Sequence, residues 1–106
     1  MDKNAIFLQE AANDGQTIFL YYDGMSGVYL AYGLSAFYTT LVTEPYLSFS
    51  DEMQMPVAIL TKKHVLYLHQ SLHTEEHVVK SFYRFKLKTL VGDAGYEKWL
   101  QKIMAK

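Results

Sequence analysis

The sequence predicts one α+β domain over residues 1–106: an N-terminal helix, an antiparallel sheet of four to five strands, and two C-terminal helices packed on one sheet face. Two patterns support this fold class. Short runs of β-branched and aromatic residues between turn residues occupy the middle of the chain, and helical spacing of apolar residues marks its ends. Half of the residues are hydrophobic, which is enough for a single core.

The first helix is predicted over residues 4–13, because Asn4 can cap its first turn and Gly15 follows its last. Residues 17–22 are β-branched, apolar and aromatic, which predicts a strand. The segment 23–27 combines Asp, Ser and two glycines, so we expect a hairpin turn there.

Residues 24–43 carry no charge and have about the length that spans a bilayer. The segment is rich in Gly, Ser and Thr, and no Lys or Arg flanks it, so we expect a buried part of the core and no membrane association. Within it we predict a strand at 28–33 and a helical or irregular stretch to about residue 42. The pair Glu44-Pro45 ends that stretch, because the residue before a proline disfavours the helical conformation.

Three more strands are predicted, over 46–50, 57–61 and 64–70. The first two are separated by an acidic loop at 51–54, and the last two by a tight turn at 62–63. Together with the preceding strands they predict an antiparallel meander.

Residues 74–90 fit two alternatives. Thr74 followed by two glutamates is typical of a helix start, which predicts a helix to about residue 90. Residues 83–88, however, alternate between apolar and basic side chains, as a half-exposed strand does. We favour the helix because no turn residues interrupt the segment. After a break at 92–95, a second helix is predicted over 95–105 from an apolar stripe of Tyr96, Trp99, Leu100 and Ile103.

Charge is distributed unevenly, although the net charge is only −1. Residues 1–61 contain one basic and seven acidic residues, a balance of −6, whereas residues 62–106 contain nine basic and four acidic residues, a balance of +5. The absence of cysteine excludes disulfides, thiol catalysis and cysteine-ligated metal centres, and we expect a cytoplasmic protein.

The segment from His73 to His77 matches the H-x-x-E-H pattern of one class of zinc peptidases. That pattern needs both histidines on one helix, whereas the predicted helix begins at Thr74 and leaves His73 outside it. We therefore predict no catalytic residue, no metal and no cofactor. By ligand type and spacing, His69, His73 and His77 remain the candidate ligands of a non-catalytic metal site.

The turn at 23–27 follows a strand, as phosphate-binding loops do. It lacks the glycine spacing of a dinucleotide-binding loop and the Gly-Lys-Ser/Thr of a P-loop, and Ser26 has no predicted base to activate it. The sequence therefore favours a protein that is not an enzyme. A small-ligand or metal-binding protein built around Asp23, Ser26 and the histidines is the third of three hypotheses.

Two basic ridges support the second hypothesis, a nucleic-acid-associated protein. One would lie on the predicted 74–90 helix and the other on the 95–105 helix, and together they comprise Lys80, Arg84, Lys88, Lys98 and Lys102. The pI near 6.4 argues against it, because the pI of nucleic-acid-binding domains usually exceeds about 9. Alternatively, the basic residues compensate the acidic first half, within one chain or across a dimer.

The leading hypothesis rests on tyrosine. Tyr is enriched at protein interfaces because its rigid ring buries apolar area while its hydroxyl stays hydrogen-bonded. The predicted partner-binding residues are Tyr21, Tyr29, Tyr32 and Tyr38. We expect a non-enzymatic, homodimeric interaction module whose aromatic sheet face and acidic loop 51–54 bind a second copy or an unidentified protein or peptide. The alternative is that these rings pack in the core, with their hydroxyls at its rim.

Overall fold

The computed structural model describes residues 3–78 and 81–105. The helices are α1 (Lys3–Ala11), α2 (Gly33–Thr40), α3 (Lys62–Ser71) and α4 (Tyr96–Met104). The strands are β1 (Thr17–Asp23), β2 (Val28–Tyr32), β3 (Tyr46–Ser50), β4 (Met55–Leu60), β5 (His73–Val78) and β6 (Phe82–Lys86). The α+β class is confirmed, but within the described residues the sheet has six strands rather than four to five.

The strands form one open antiparallel sheet in the order β3-β4-β2-β1-β6-β5. Three hairpins, β1–β2, β3–β4 and β5–β6, are joined through the β2–β4 and β1–β6 pairings. The central position of β1 and β2 leaves β3 and β5 as the two edges.

The larger core lies on the sheet face that α2 and α3 cover. Its fully buried members include Ile18 and Leu20 of β1, Phe85 of β6, Tyr38 of α2 and Leu68 of α3. Each of the Ile, Leu and Phe side chains contributes roughly 1.5–3 kcal/mol through the apolar area it removes from water. This core therefore fixes α2 and α3 on the sheet.

A smaller core lies on the opposite face and holds α1. Successive residues of a strand point to opposite faces, so Phe19 and Tyr21 of β1 point away from the larger core. They are buried together with Ile6 of α1 and Met53. The N-terminal helix is therefore attached to the sheet by a separate cluster.

Most predicted elements agree with the structure. The predictions that match in type and approximate extent are the helices at 4–13 and 95–105 and the strands at 17–22, 46–50 and 57–61. The segment predicted as a strand and then a helical or irregular stretch forms β2 and α2. Across the described residues, no helix is long and apolar enough to cross a membrane.

The strand predicted over 64–70 is wrong, because these residues belong to α3. The buried residues are Val65 and Leu68, which are three positions apart as on one side of a helix. Thr61 precedes the helix as its cap, and its backbone N–H donates to Nδ1 of His64 at 3.0 Å. A Thr-x-x-His pair thus replaces the usual capping box of Ser or Thr with Glu or Gln.

The helix predicted over 74–90 is also wrong, and the alternative strand at 83–88 is largely right. β5 and β6 form an antiparallel hairpin in which Glu76 lies opposite Arg84. Phe85 enters the larger core, whereas its neighbour Arg84 points to the other face. Of the two predicted C-terminal helices, the described residues therefore contain only α4.

Candidate functional site

Most of the tyrosines predicted to bind a partner lie inside the chain. Tyr38 is fully buried, Tyr21 and Tyr29 are 4% and 8% exposed, and Tyr32 is half-buried. The hydroxyls of Tyr21 and Tyr38 donate hydrogen bonds within the chain. These rings therefore stabilise the two cores and offer little surface.

The five basic residues do not form two parallel helical ridges. Arg84 lies on β6, where its Nη2 is 3.1 Å from Glu76 and its Nε is 3.8 Å from Glu75. Lys98 and Lys102 are exposed on α4, and Lys88 is exposed after β6. Lys80 lies outside the described residues. Acids of the neighbouring strand thus compensate the charge of the only arginine in the sequence.

The candidate metal-binding histidines contact other side chains rather than one another. His77 stacks on Tyr83, with 4.1 Å between ring centroids and 8° between ring planes. Nδ1 of His69 is 2.6 Å from Oγ1 of Thr74, and His73 is exposed at the start of β5. Within residues 3–78 and 81–105, no three His, Asp or Glu side chains converge as metal ligands would.

Asp23 and Ser26 belong to the β1–β2 hairpin turn. The Ser26 hydroxyl donates to the Asp23 carboxylate at 2.6 Å, and the backbone N–H of Met25 donates to the same carboxylate at 3.2 Å. Such local bonds are typical of turns that contain Asp and Ser. These hydrogen bonds within the turn account for the presence of Asp23 and Ser26 without a bound ligand.

One edge of the sheet is the strand β3. Tyr46 is 65% exposed and Leu47 is 39% exposed, and Ser48 is exposed beside them. The strand contains no charged residue and no proline. Charges, prolines and bulges are the usual means by which edge strands avoid pairing with other chains. β3 therefore presents a row of open backbone groups without these protections.

An apolar groove of about 660 Å³ runs beside β3. Its walls are the chain from Pro45 to Phe49 and, across from it, Ile103 and Met104 at the end of α4. Met104 is 57% exposed, and a flexible, polarisable methionine can adapt to differently shaped apolar groups. The groove joins the open backbone edge to an apolar wall.

The opposite edge strand, β5, has the protections that β3 lacks. It includes Glu75 and Glu76, both exposed, and the register shifts between Thr74 and Glu76 as at a β-bulge. Charged side chains and bulges both discourage the addition of another strand. The two edges of the sheet therefore differ, because β5 carries charges and a register shift whereas β3 contains no charged residue.

The ends of β3 are acidic. Glu44 precedes the strand, and Asp51 and Glu52 of the predicted acidic loop follow it; all three are exposed. Lys3 of α1 forms an ion pair with Glu52. Acidic side chains therefore stand at both ends of β3, Glu44 before it and Asp51 and Glu52 after it, and Lys3 compensates Glu52.

A second feature is the carboxyl group of Glu10, which is buried at the start of α2 with 7% of the residue exposed. Its Oε1 accepts from the backbone N–H of Ser35 at 3.1 Å, and its Oε2 accepts from the Ser35 hydroxyl. Burial raises the pKa of Glu10 to about 7, against the opposing effect of hydrogen bonds from Ser35 and Asn13. Glu10 is therefore partly ionised near neutral pH.

The end of β2 explains why Ser35 reaches this position. β2 pairs with β1 only along Tyr21–Asp23, because the chain turns into α2 at Gly33, where φ is +58°. The backbone N–H of Phe19, beyond that pairing, donates to Ser35 Oγ at 3.0 Å. Glu10 and Ser35 thus connect α1, α2 and β1 through one buried chain of hydrogen bonds.

Sequence reasoning missed both features. Glu10 occupies a polar position on a short helix, and nothing near it in the sequence indicates burial against Ser35, which is 25 residues away. The strand at 46–50 was predicted correctly, but its lack of charge does not distinguish an edge strand from an interior strand such as β4, which is uncharged as well. Comparison with protein-family models, with curated proteins and with solved structures gives no match for this chain.

Proposed function

We propose that this protein is a non-enzymatic interaction module that binds an extended segment of a partner protein by adding it as a further strand to β3. The observation that carries the proposal is an exposed, uncharged edge strand beside an apolar groove. In strand addition, backbone hydrogen bonds supply affinity and pockets for alternate side chains supply specificity.

The surroundings of β3 define the chemistry of the partner segment. Its alternate side chains would lie over the groove and contact Leu47 and Met104, which favours apolar residues at every second position. Its ends would lie near Glu44 and Asp51, which favours a basic residue at each end. The expected partner is therefore an extended segment of alternating apolar residues with flanking Lys or Arg.

A second copy of this chain fits the edge less well. Fully overlapping antiparallel pairing of β3 with itself is centred on Ser48, which brings Glu44 of one copy near the acidic loop of the other at both ends, where the Lys3 ion pair compensates Glu52 but not Asp51. Like charges directly opposite each other destabilise strand pairing. The homodimer that the tyrosine enrichment predicted is therefore the alternative that the experiment below must distinguish from a heterologous partner.

The test uses a fluorescent synthetic peptide in which valine alternates with threonine between terminal lysines. Fluorescence anisotropy should show saturable binding to the wild type that weakens with added salt, because the flanking charges contribute. Leu47→Lys should weaken binding by about tenfold or more, since it adds a charge to the edge and removes an apolar contact. Gln70→Lys, an equal charge change at an exposed position of α3, should bind like the wild type.

A matched peptide with proline at its central position should not bind, because proline cannot donate to the strand pairing. Equal binding of the two peptides, or equal affinity of wild type and Leu47→Lys, would contradict strand addition. Light scattering during size-exclusion chromatography tests the alternative that a second copy of the chain pairs with β3. A dimer that Leu47→Lys dissociates, with no peptide binding, would identify β3 as a self-association edge and overturn the heterologous partner.

A further inference from the structure

A cleft of about 360 Å³ lies where α1 meets the start of α2 and the start of α4. Its size lies within the range of small-molecule sites, roughly 300–1,000 Å³. Part of its wall is apolar and includes Phe7 of α1, Leu34 of α2 and the ring of Tyr96 of α4. The cleft shares no lining residue with the groove beside β3, so it is a separate candidate site.

Every charged residue that lines this cleft is an acid. Glu10 comes from α1, Glu97 from α4, and Asp93 from the loop before α4. Two aromatic rings, those of Phe7 of α1 and Tyr96 of α4, also line the cleft. Carboxylates and the faces of aromatic rings both attract cations, and together with an apolar wall they favour a cation that carries a hydrophobic body.

The tyrosines around Glu10 respond to this negative charge. Burial is the main reason that the pKa values of Tyr21, Tyr38 and Tyr96 lie above the ordinary value, and the charge of Glu10 raises each of them further. For Tyr38, which reaches a pKa of about 12, Asp14 and Asp93 add to the effect, and for Tyr96 so does Glu97. No basic residue is among the causes, and the acids lie on α1, in the loop after it, in the loop before α4 and on α4.

We infer that this cleft binds a small organic cation with an apolar body, whose ammonium group pairs with Glu10 while its body contacts Phe7 and Tyr96. The Glu10 carboxyl is already withdrawn from water, so a pair formed there is screened less than one at the surface. A metal ion is a poorer fit, because the described residues contain no group of three converging ligands. The inference is independent of strand addition at β3.

Binding of the cation is linked to ionisation of Glu10, because only the carboxylate pairs with an ammonium group. With a pKa of about 7, the ionised fraction of Glu10 rises about tenfold between pH 6 and pH 8. The affinity for a cation that stays protonated over this range should rise by the same factor. Conversely, the bound cation should lower the pKa of Glu10.

The probe is 2-phenylethylamine, with the uncharged 2-phenylethanol as its matched control. Titration calorimetry should give a Kd for the amine in the millimolar range or below, and weaker binding of the alcohol. Glu10→Gln should weaken binding of the amine by about tenfold or more at pH 8, since a charge-assisted hydrogen bond is lost. Glu75→Gln, which removes an exposed carboxylate of β5 that lines neither the cleft nor the groove beside β3, should leave the affinity unchanged.

The ¹³C chemical shift of the Glu10 carboxyl group, followed as a function of pH, reports its ionisation. Saturation with the amine should move this titration to lower pH, which a purely structural role of Glu10 does not predict. Equal affinity for amine and alcohol, an unchanged affinity in Glu10→Gln, or no saturable binding would overturn the inference. If Glu10→Gln does not fold, Ala11→Trp places a large ring at an exposed lining position of the cleft without removing a hydrogen bond of Glu10. Binding that persists in Ala11→Trp would also overturn it.

Discussion

Replacing Glu10 with Gln should change how the stability of the protein depends on pH. In the folded protein, burial raises the pKa of Glu10 from an ordinary value of 4.5 to about 7. Between these values the folded state binds more protons than the unfolded state, so the contribution of Glu10 to stability is complete below 4.5 and is lost as the pH rises through 7. Glutamine does not titrate, and the variant lacks this dependence.

The pKa difference sets the expected size of the effect. At roughly 1.4 kcal/mol for each pKa unit, the rise to about 7 corresponds to about 3 kcal/mol. The free energy of unfolding of the wild type, relative to Glu10→Gln, should therefore fall by about 3 kcal/mol between about pH 4 and pH 8. Urea denaturation followed by circular dichroism at a series of pH values measures both proteins under the same conditions.

Glu44→Gln controls for the loss of one surface charge. If the difference between wild type and Glu10→Gln stays constant to within about 0.5 kcal/mol over this range, Glu10 is not buried as described. A pH-dependent difference of similar size in Glu44→Gln would attribute the effect to net charge rather than to burial.

Three further substitutions test the packing by the same denaturation assay. Phe85→Ala, at a fully buried position, should cost about 3–5 kcal/mol; a cost below about 1 kcal/mol would contradict its place in the core. Gly33→Ala should cost about 1–2 kcal/mol, because φ is +58° and the added Cβ would lie 3.3 Å from Sδ of Met55; an unchanged stability would contradict that conformation. Tyr38→Phe removes the hydrogen bond to the Gly92 carbonyl and should cost about 1 kcal/mol, whereas a stabilised variant would argue against that bond.

The misassignment of α3 has a physical cause that the local sequence hides. Residues 64–70 include β-branched, apolar and aromatic side chains, a composition that also fits a strand. Leu66 and Tyr67 remain 58% and 50% exposed, so the helix buries only a narrow side and its apolar residues do not follow helical spacing. Packing of Val65 and Leu68 against the sheet, rather than the intrinsic helix propensity of the segment, stabilises the helix.

The β5–β6 hairpin shows the opposite error. Thr74 and the two glutamates after it have the pattern of a helix start, but they lie on an edge strand where acids face Arg84 of the next strand. Cross-strand pairing of this kind depends on which strands become neighbours, and that information is not local. The alternation at 83–88 was the more reliable pattern, because period two places Tyr83 and Phe85 on one face.

The candidate sites depend even more on tertiary structure. Charge, cysteine content and the hairpin turn were accessible from the sequence, but the burial of three of the four tyrosines was not. Whether β3 becomes an edge depends on the strand order, in which β4 separates it from β2. The burial of Glu10 depends on a helix that begins where β2 leaves the sheet.

Amide chemical-shift mapping with the lysine-flanked peptide shows directly whether β3 accepts an added strand. Strand addition predicts that the amides of β3, from Tyr46 to Ser50, shift together with those of Ile103 and Met104, and that amide exchange along β3 slows. Shifts confined to the charged edge strand β5 and the ring stack of His77 and Tyr83, with β3 unaffected, would contradict it.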